Sequence, residues 1–301
     1  MGVPALRRAK SGDAAFIQRI EKSSFNGIVH SIFNKTINLK CLNDGELYTI
    51  ASTKIDNGPN TLLIDINSFR EVDLALNDKV YGAKKVLSIT NKLAITVERA
   101  EKWESNLPDY PECSERLSAN LVKMKHYIHS QGKAGGMKPD TASKNIFVKE
   151  MSRLLNERSR ALVYEVSNNR GSNALQSAAG LIGLGPGLTP SGDDYLVGFI
   201  STLHLPNCPC HVFKELGEQI VKMAKPLTNE ISYMALKKAS IGSVRESLIH
   251  LLDSLVNGTE NEMLQSLKNV LEIGSSSGTD IALGIVSGIE TNLKVGGRTW
   301  L

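Results

Sequence analysis

The run Gly183-Leu-Gly-Pro-Gly-Leu-Thr-Pro-Ser-Gly-Asp-Asp194 places glycines, hydroxyl residues and two carboxyls directly ahead of an apolar stretch. A flexible loop that enters a helix exposes unpaired backbone N–H groups at the positive end of the helix dipole, a natural seat for phosphate or carboxylate. Gly185, Gly187, Thr189, Ser191 and Gly192 are therefore candidate anion contacts. Asp193 and Asp194 are candidates for proton transfer, for holding an NH₂ group or for binding a cation. The pattern S-G-x-D-x-x-x-G occurs at Ser191–Gly198 and again at Ser277–Gly284, each copy opening an apolar run. The second copy adds Ser277, Gly278 and Asp280 as candidates, and the pair predicts two helix starts facing one polar site.

A simpler use of the same residues is helix capping, because Ser followed three residues later by an acid is a capping box that needs no ligand. Capping and ligand binding stand about even for the second copy. The first constrains too long a stretch for a cap, since that much glycine costs conformational entropy with no packing return. Gly187 and Gly192 have Walker A spacing, but Asp193 and Asp194 occupy the places of Lys and Ser/Thr, so a bare polyphosphate would be repelled. Either the guest is small and weakly charged, or a hard oxygen-bound cation such as Mg²⁺ lies between carboxylate and anion. The dinucleotide fingerprint fails as well, because Leu188 replaces its third glycine and no strand precedes the loop.

Other candidates are fewer. Thr228 to Ser232 form a cap-like start, with Thr228 and Ser232 able to face a ligand. His30 shares a strand face with Ile28 and Ile32, which predicts an inward ring making a local hydrogen bond, with catalysis the less favoured role. Cys208-Pro-Cys210-His211 lacks a second ligand cluster and reads as the lead-in to a helix. There is no G-x-S-x-G elbow, H-E-x-x-H helix or CxxC pair, which removes the common hydrolase, zinc-protease and thioredoxin-like readings.

The chain that must position these groups has 301 residues, 41% of them hydrophobic and 22% charged, enough for one or two cores. Its net charge of +4 is spread without a basic block and aromatics are only 5%, so nucleic-acid binding is not expected. No apolar run approaches the length of a membrane span, and the four cysteines are too sparse for a disulfide framework, which predicts a cytoplasmic protein.

Residues 5–22 carry a weak helical pattern, and from Gly27 to about Glu104 short β-rich runs follow, with turns at Asn43-Asp44-Gly45 and Asn91-Lys92. They predict a small antiparallel barrel or sandwich. Beyond Pro108 and Pro111 the pattern is helical: Leu117, Leu121, Met124 and Ile128 share one face, as do Met263, Leu267 and Val270. Further helices are expected near 143–166, 172–182, 193–204, 211–224, 228–240, 245–256 and 279–293, with a break at Gly132–Gly136. The fold class is α+β, a β-rich domain at 1–107 followed by a mostly helical domain at 108–301. Gly198, Gly284 and Gly288 would let the two motif helices approach closely and bring their N-termini together.

Phe25-Asn-Gly-Ile-Val-His-Ser-Ile-Phe, Asn57-Gly-Pro-Asn60, the 181–194 loop, Thr228–Ser232 and Ile273-Gly-Ser-Ser-Ser-Gly-Thr-Asp280 together resemble the AllH family over nearly the whole chain. The resemblance implies the small subunit of an oxamate carbamoyltransferase of allantoin and purine breakdown. Such a subunit would act with an FdrA-like protein and a second large subunit to interconvert oxalurate plus phosphate with oxamate plus carbamoyl phosphate. Two other functions remain open: a non-catalytic scaffold that completes a partner's site, and a stand-alone Mg²⁺-dependent phosphate enzyme.

Overall fold

The computed structural model describes residues 5–22 and 24–297. The chain divides after Ser105 into two compact units, each with its own apolar core.

In the first unit, nine strands form one sheet: β1 (Ala5–Asp13), β2 (Asn26–Ile32), β3 (Thr36–Cys41), β4 (Leu47–Ser52), β5 (Thr61–Ile64), β6 (Lys79–Ala83), β7 (Val86–Ile89), β8 (Leu93–Thr96) and β9 (Glu101–Trp103). Their order is β5-β4-β3-β2-β6-β7-β8-β1-β9, and an extra pairing of β5 with β1 closes the first eight into a barrel. Closure leaves those eight without a free edge. Alternation is plain in β6, where Val80 and Gly82 are buried between exposed neighbours, and in β7, where Leu87 and Ile89 face inward. The helix α1 (Ala14–Glu21) adds Phe16, Ile17 and Ile20 to the barrel core, and Phe16 stacks obliquely on Tyr48 with ring centroids 4.6 Å apart.

Three features depart from the sequence expectation. Residues 5–13 are strand, not helix: Leu6, Arg7, Arg8 and Lys10 are exposed and only small residues such as Ala9 and Gly12 are buried, so no apolar alternation marks the strand. The barrel is also mixed, because β1 runs parallel to β8 and β9, and β4 parallel to β5. In β2 the buried residues are Gly27 and Val29, while Ile28 and His30 lie half-buried on the opposite face. His30 Nδ1 lies 3.2 Å from Ser31 Oγ, a local contact next to a register shift between Val29 and Ser31.

The second unit is helical: α2 (Glu115–Gln131), α3 (Ile146–Ser167), α4 (Gly171–Ala179), α5 (Ser191–Leu203), α6 (Lys214–Ala224), α7 (Glu230–Ala239), α8 (Glu246–Val256), α9 (Glu260–Leu271) and α10 (Ser277–Gly296). Every residue of α5 is buried, so it is the central helix, and its main neighbour is α10. A fully buried Leu196 or Ile285 contributes about 2 kcal/mol by leaving water.

The α5–α10 contact is made backbone to backbone. A Cβ on Gly198 would stand 2.1 Å from the Ile281 carbonyl oxygen, one on Gly284 2.1 Å from that of Tyr195, and one on Gly288 2.0 Å from Thr202 Oγ1. Farther along, Asn292 Nδ2 donates to the Thr202 carbonyl at 3.4 Å. Contacts thus advance together along both helices, which run parallel with their starts at one end. Because Gly198 and Gly284 are equivalent in the repeated motif, as are Tyr195 and Ile281, the packing is reciprocal and the helix pair is a local pseudo-twofold.

Candidate functional site at paired helix starts

The two S-G-x-D starts meet directly. Thr189 Oγ1 in the glycine loop and Ser277 Oγ at the first turn of α10 are 2.9 Å apart. Neither helix uses its motif as a capping box: the cap positions are Pro190 and Ser276, and no side-chain cap bond forms at either. Instead the acids reach across. Asp194 of the first motif is flanked by Ser277 and Thr189, and Asp280 of the second by Ser191, whose hydroxyls favour the ionised acids.

Burial outweighs those hydroxyls. Asp193, Asp194 and Asp280 are 1%, 7% and 0% exposed, and loss of hydration favours the neutral acid. Burial pushes Asp194 up to about 7, with added repulsion from Asp280 and Asp193, and Asp280 up to about 6. Ser191 Oγ, Asp194 Oδ2 and Asp280 Oδ2 have no aligned hydrogen-bond partner, although the serines are close enough to act on the acids electrostatically. Both acids are thus buried carboxyls shifted toward neutral pH.

Asp193 has a different position. Its Oδ1 accepts the Gly183 N–H at 2.9 Å and its Oδ2 accepts the Thr228 hydroxyl, and burial raises its pKa despite both bonds. The carboxyl thereby ties the base of the glycine loop to the segment before α7. Asn229 completes the brace, accepting from Ile231 and Ser232 N–H and donating from Nδ2 to the Leu188 carbonyl at 2.7 Å. Ser232 Oγ is buried without an aligned partner.

Glycine is required at several loop positions. Gly183, Gly185 and Gly187 have φ of 70°, 124° and 96°, values that side-chain-bearing residues rarely adopt. Gly185 lies on the start of α5, where a Cβ would be 2.6 Å from Ser191 N, and Gly192 and Gly278 press on the carbonyls of Leu181 and Val270. Among the described residues, the backbone N–H groups of Gly185, Gly187, Thr189, Ser191 and Ser277 have no protein acceptor. They are the donors available to an anion.

One component went unrecognised in the sequence, where Gly132–Gly136 reads only as a helix break. The 132–137 segment straps over both helix starts: Lys133 N donates to Thr279 Oγ1 at 2.8 Å and Met137 N to Asp280 Oδ1 at 2.7 Å. A Cβ on Gly136 would be 2.4 Å from Asp280 Oδ2 and 2.5 Å from Ser191 Oγ. The strap is anchored behind by Ser152 and Asn156 of α3, which donate to the Gly136 and Met137 carbonyls.

The site thus gathers Gly185, Gly187, Thr189, Ser191, Gly192, Asp193, Asp194, Thr228, Ser232, Ser277, Gly278 and Asp280 within the helical unit. His30 belongs to the barrel. Among the described residues, no group of three or more His, Cys, Asp and Glu is placed to hold a metal ion, and no helix is long and apolar enough to cross a membrane.

An eight-stranded barrel followed by a helical unit that carries a glycine loop at paired helix starts defines a two-part α+β protein. Two family models match it: "Oxamate carbamoyltransferase subunit AllH" over residues 181–289 and "AllH family N-terminal domain" over residues 8–102. The chain belongs to the AllH family of oxamate carbamoyltransferase subunits. No solved structure matches it.

Proposed function

We propose that this chain supplies the anion-binding part of a cytoplasmic carbamoyltransferase that interconverts oxalurate plus phosphate with oxamate plus carbamoyl phosphate, working with two larger subunits, one of them FdrA-like. The supporting observation is the 2.9 Å contact between Thr189 and Ser277, which puts both helix starts and the glycine loop at one place.

In this reaction a phosphate oxygen forms a bond to the carbamoyl carbon, the bond from that carbon to the oxamate nitrogen breaks, and the nitrogen takes the proton that phosphate loses. The N–H groups of Gly185, Gly187, Thr189 and Ser191 would hold phosphate or the substrate carboxylate, and such fixed donors also stabilise charge at the tetrahedral stage. Asp194 and Asp280, with ionisation near neutral pH, would relay the proton. Asp193, Thr228 and the strap would keep the loop in register.

The test is reconstitution from purified chain and larger subunits, measuring carbamoyl phosphate formed from oxalurate and phosphate with each component omitted in turn. Formation that requires this chain supports the reading. Full activity without it ends the reading.

A further inference from the structure

The strap carries two lysines, and their side chains are held in different ways. Lys138 Nζ donates to the Ile128 and Gly132 carbonyls at 3.3 and 2.6 Å, which closes the end of α2. Lys133 Nζ donates to the Gly274 carbonyl at 3.3 Å and lies 3.7 Å from Glu272 Oε2, whose side chain is 83% exposed. Both contacts are long, and an ion pair with an acid so open to water is weak. The Lys133 ammonium can therefore exchange partners.

Its position is set by the backbone. Lys133 N donates to Thr279 Oγ1 in the first turn of α10, and the side chain runs from there to Gly274, just ahead of that helix. A Cβ on Gly274 would be 3.0 Å from Ser277 Oγ, so the ammonium and the Ser277 hydroxyl border the same exposed glycine. Ser277 in turn meets Thr189 of the glycine loop at 2.9 Å. Positive charge thus stands at the outer side of the paired helix starts. On the inner side, Ser191 Oγ is 1% exposed and has no aligned hydrogen-bond partner. It lies between Gly185 of the loop and Gly136 of the strap, 3.1 and 2.5 Å from where their Cβ atoms would be. A buried hydroxyl in that state is costly, and a ligand oxygen beside the Gly185 and Ser191 N–H groups would supply its partner.

We infer that Lys133 is the cationic binding residue of this site, its ammonium leaving Glu272 to pair with a phosphate dianion seated on the N–H groups and hydroxyls of the two helix starts. The inference rests on the carbamoyltransferase reading, which supplies the phosphate. A dianion beside Asp194 and Asp280 is repelled by whichever acid is ionised, and a full positive charge at its outer face offsets that repulsion. Because the N–H of the same residue is bonded to Thr279, phosphate capture draws the strap onto α10, and with it the Met137 N–H that holds Asp280.

The experiment measures binding of inorganic phosphate to the purified full chain by calorimetry, with amide exchange followed on the same proteins. Lys133→Gln should weaken phosphate binding about tenfold or more, at unchanged melting temperature because the bond to Thr279 comes from the backbone. Lys133→Arg keeps the charge and should stay within about threefold of wild type. Glu272→Gln removes the competing acid and should tighten binding about two- to threefold. Lys225→Gln, at the exposed end of α6, should bind as wild type. Saturating phosphate should slow exchange at Met137 in the wild-type chain and leave it unchanged in Lys133→Gln. Wild-type affinity in Lys133→Gln, loss through Lys225→Gln instead, Lys133→Arg as weak as Lys133→Gln, equal slowing at Met137 in both proteins, or a wild-type chain that binds no phosphate would each overturn the inference. If the variants behave as expected but the reconstituted complex makes no carbamoyl phosphate from oxalurate, the assigned reaction falls and the phosphate contact of Lys133 stands.

Discussion

Gly198 and Gly284 occupy equivalent positions in two parallel helices, and each lies against a backbone carbonyl of the other helix, Gly198 on Ile281 and Gly284 on Tyr195. This reciprocal contact holds the two S-G-x-D starts side by side, so the geometry of the site is set a full turn below it.

Gly198→Ala and Gly284→Ala should therefore each destabilise the protein by about 3 kcal/mol, because a methyl group 2.1 Å from a carbonyl oxygen forces the helices apart. Urea unfolding measures the loss. Gly171→Ala is the control: nothing lies within 4 Å of its added Cβ, so it should be neutral or slightly stabilising.

Stability should fall as pH rises. Burial raises Asp194 to about 7 and Asp280 to about 6 from an ordinary 3.8, so between about pH 4 and 7 the folded chain binds more protons than the unfolded one. The unfolding free energy then decreases with pH. The contribution of the neutral acids is complete below pH 4 and lost as pH passes 7, a change on the order of a few kcal/mol. Urea midpoints across pH 5–8 should show the decline, and Asp194→Asn should flatten it.

The two neighbouring aspartates should separate in their effects. Asp193→Ala removes the acceptor of the Gly183 N–H and Thr228 hydroxyl, so stability should drop by about 1–3 kcal/mol and the KM for phosphate should rise as the loop loosens. Asp194→Asn keeps the shape without an ionisable group, so kcat should fall at least tenfold at unchanged or higher melting temperature. Parallel losses of stability and activity in both variants would assign both acids to structure alone.

Gly136→Ala tests the strap. Its methyl would collide with the Asp280 carboxylate and Ser191 Oγ, displacing Met137 N from Asp280. Activity should be lost, and amide exchange should speed up at Met137 while remaining slow in the middle of α5, which the strap does not touch.

Much of this was readable from residue patterns, and the exceptions have physical causes. The helices of the second unit announce themselves through long apolar stripes such as Leu117, Leu121, Met124 and Ile128, all buried. The close approach of α5 and α10 was legible because glycine at Gly198, Gly284 and Gly288 has no other use in an apolar helix. The first strand was not, because Ala9 and Gly12 are its small inward residues and its pairing partners β5, β8 and β9 lie far along the chain. The crossed Asp–Ser arrangement was hidden for a similar reason: Ser-x-x-Asp looks the same whether the acid caps its own helix or leans on its neighbour's. Gly136 is required by contact with Asp280, 144 positions later in the chain, and no local pattern records such a contact.

The most direct measurement is a crystal structure of the assembled complex with carbamoyl phosphate bound. The phosphate should accept N–H bonds from Gly185, Gly187, Thr189 or Ser191 and lie within reach of Ser277, in contact with both helix starts. Carbamoyl phosphate bound elsewhere in the complex, with both starts unoccupied at saturating ligand, would contradict the assignment.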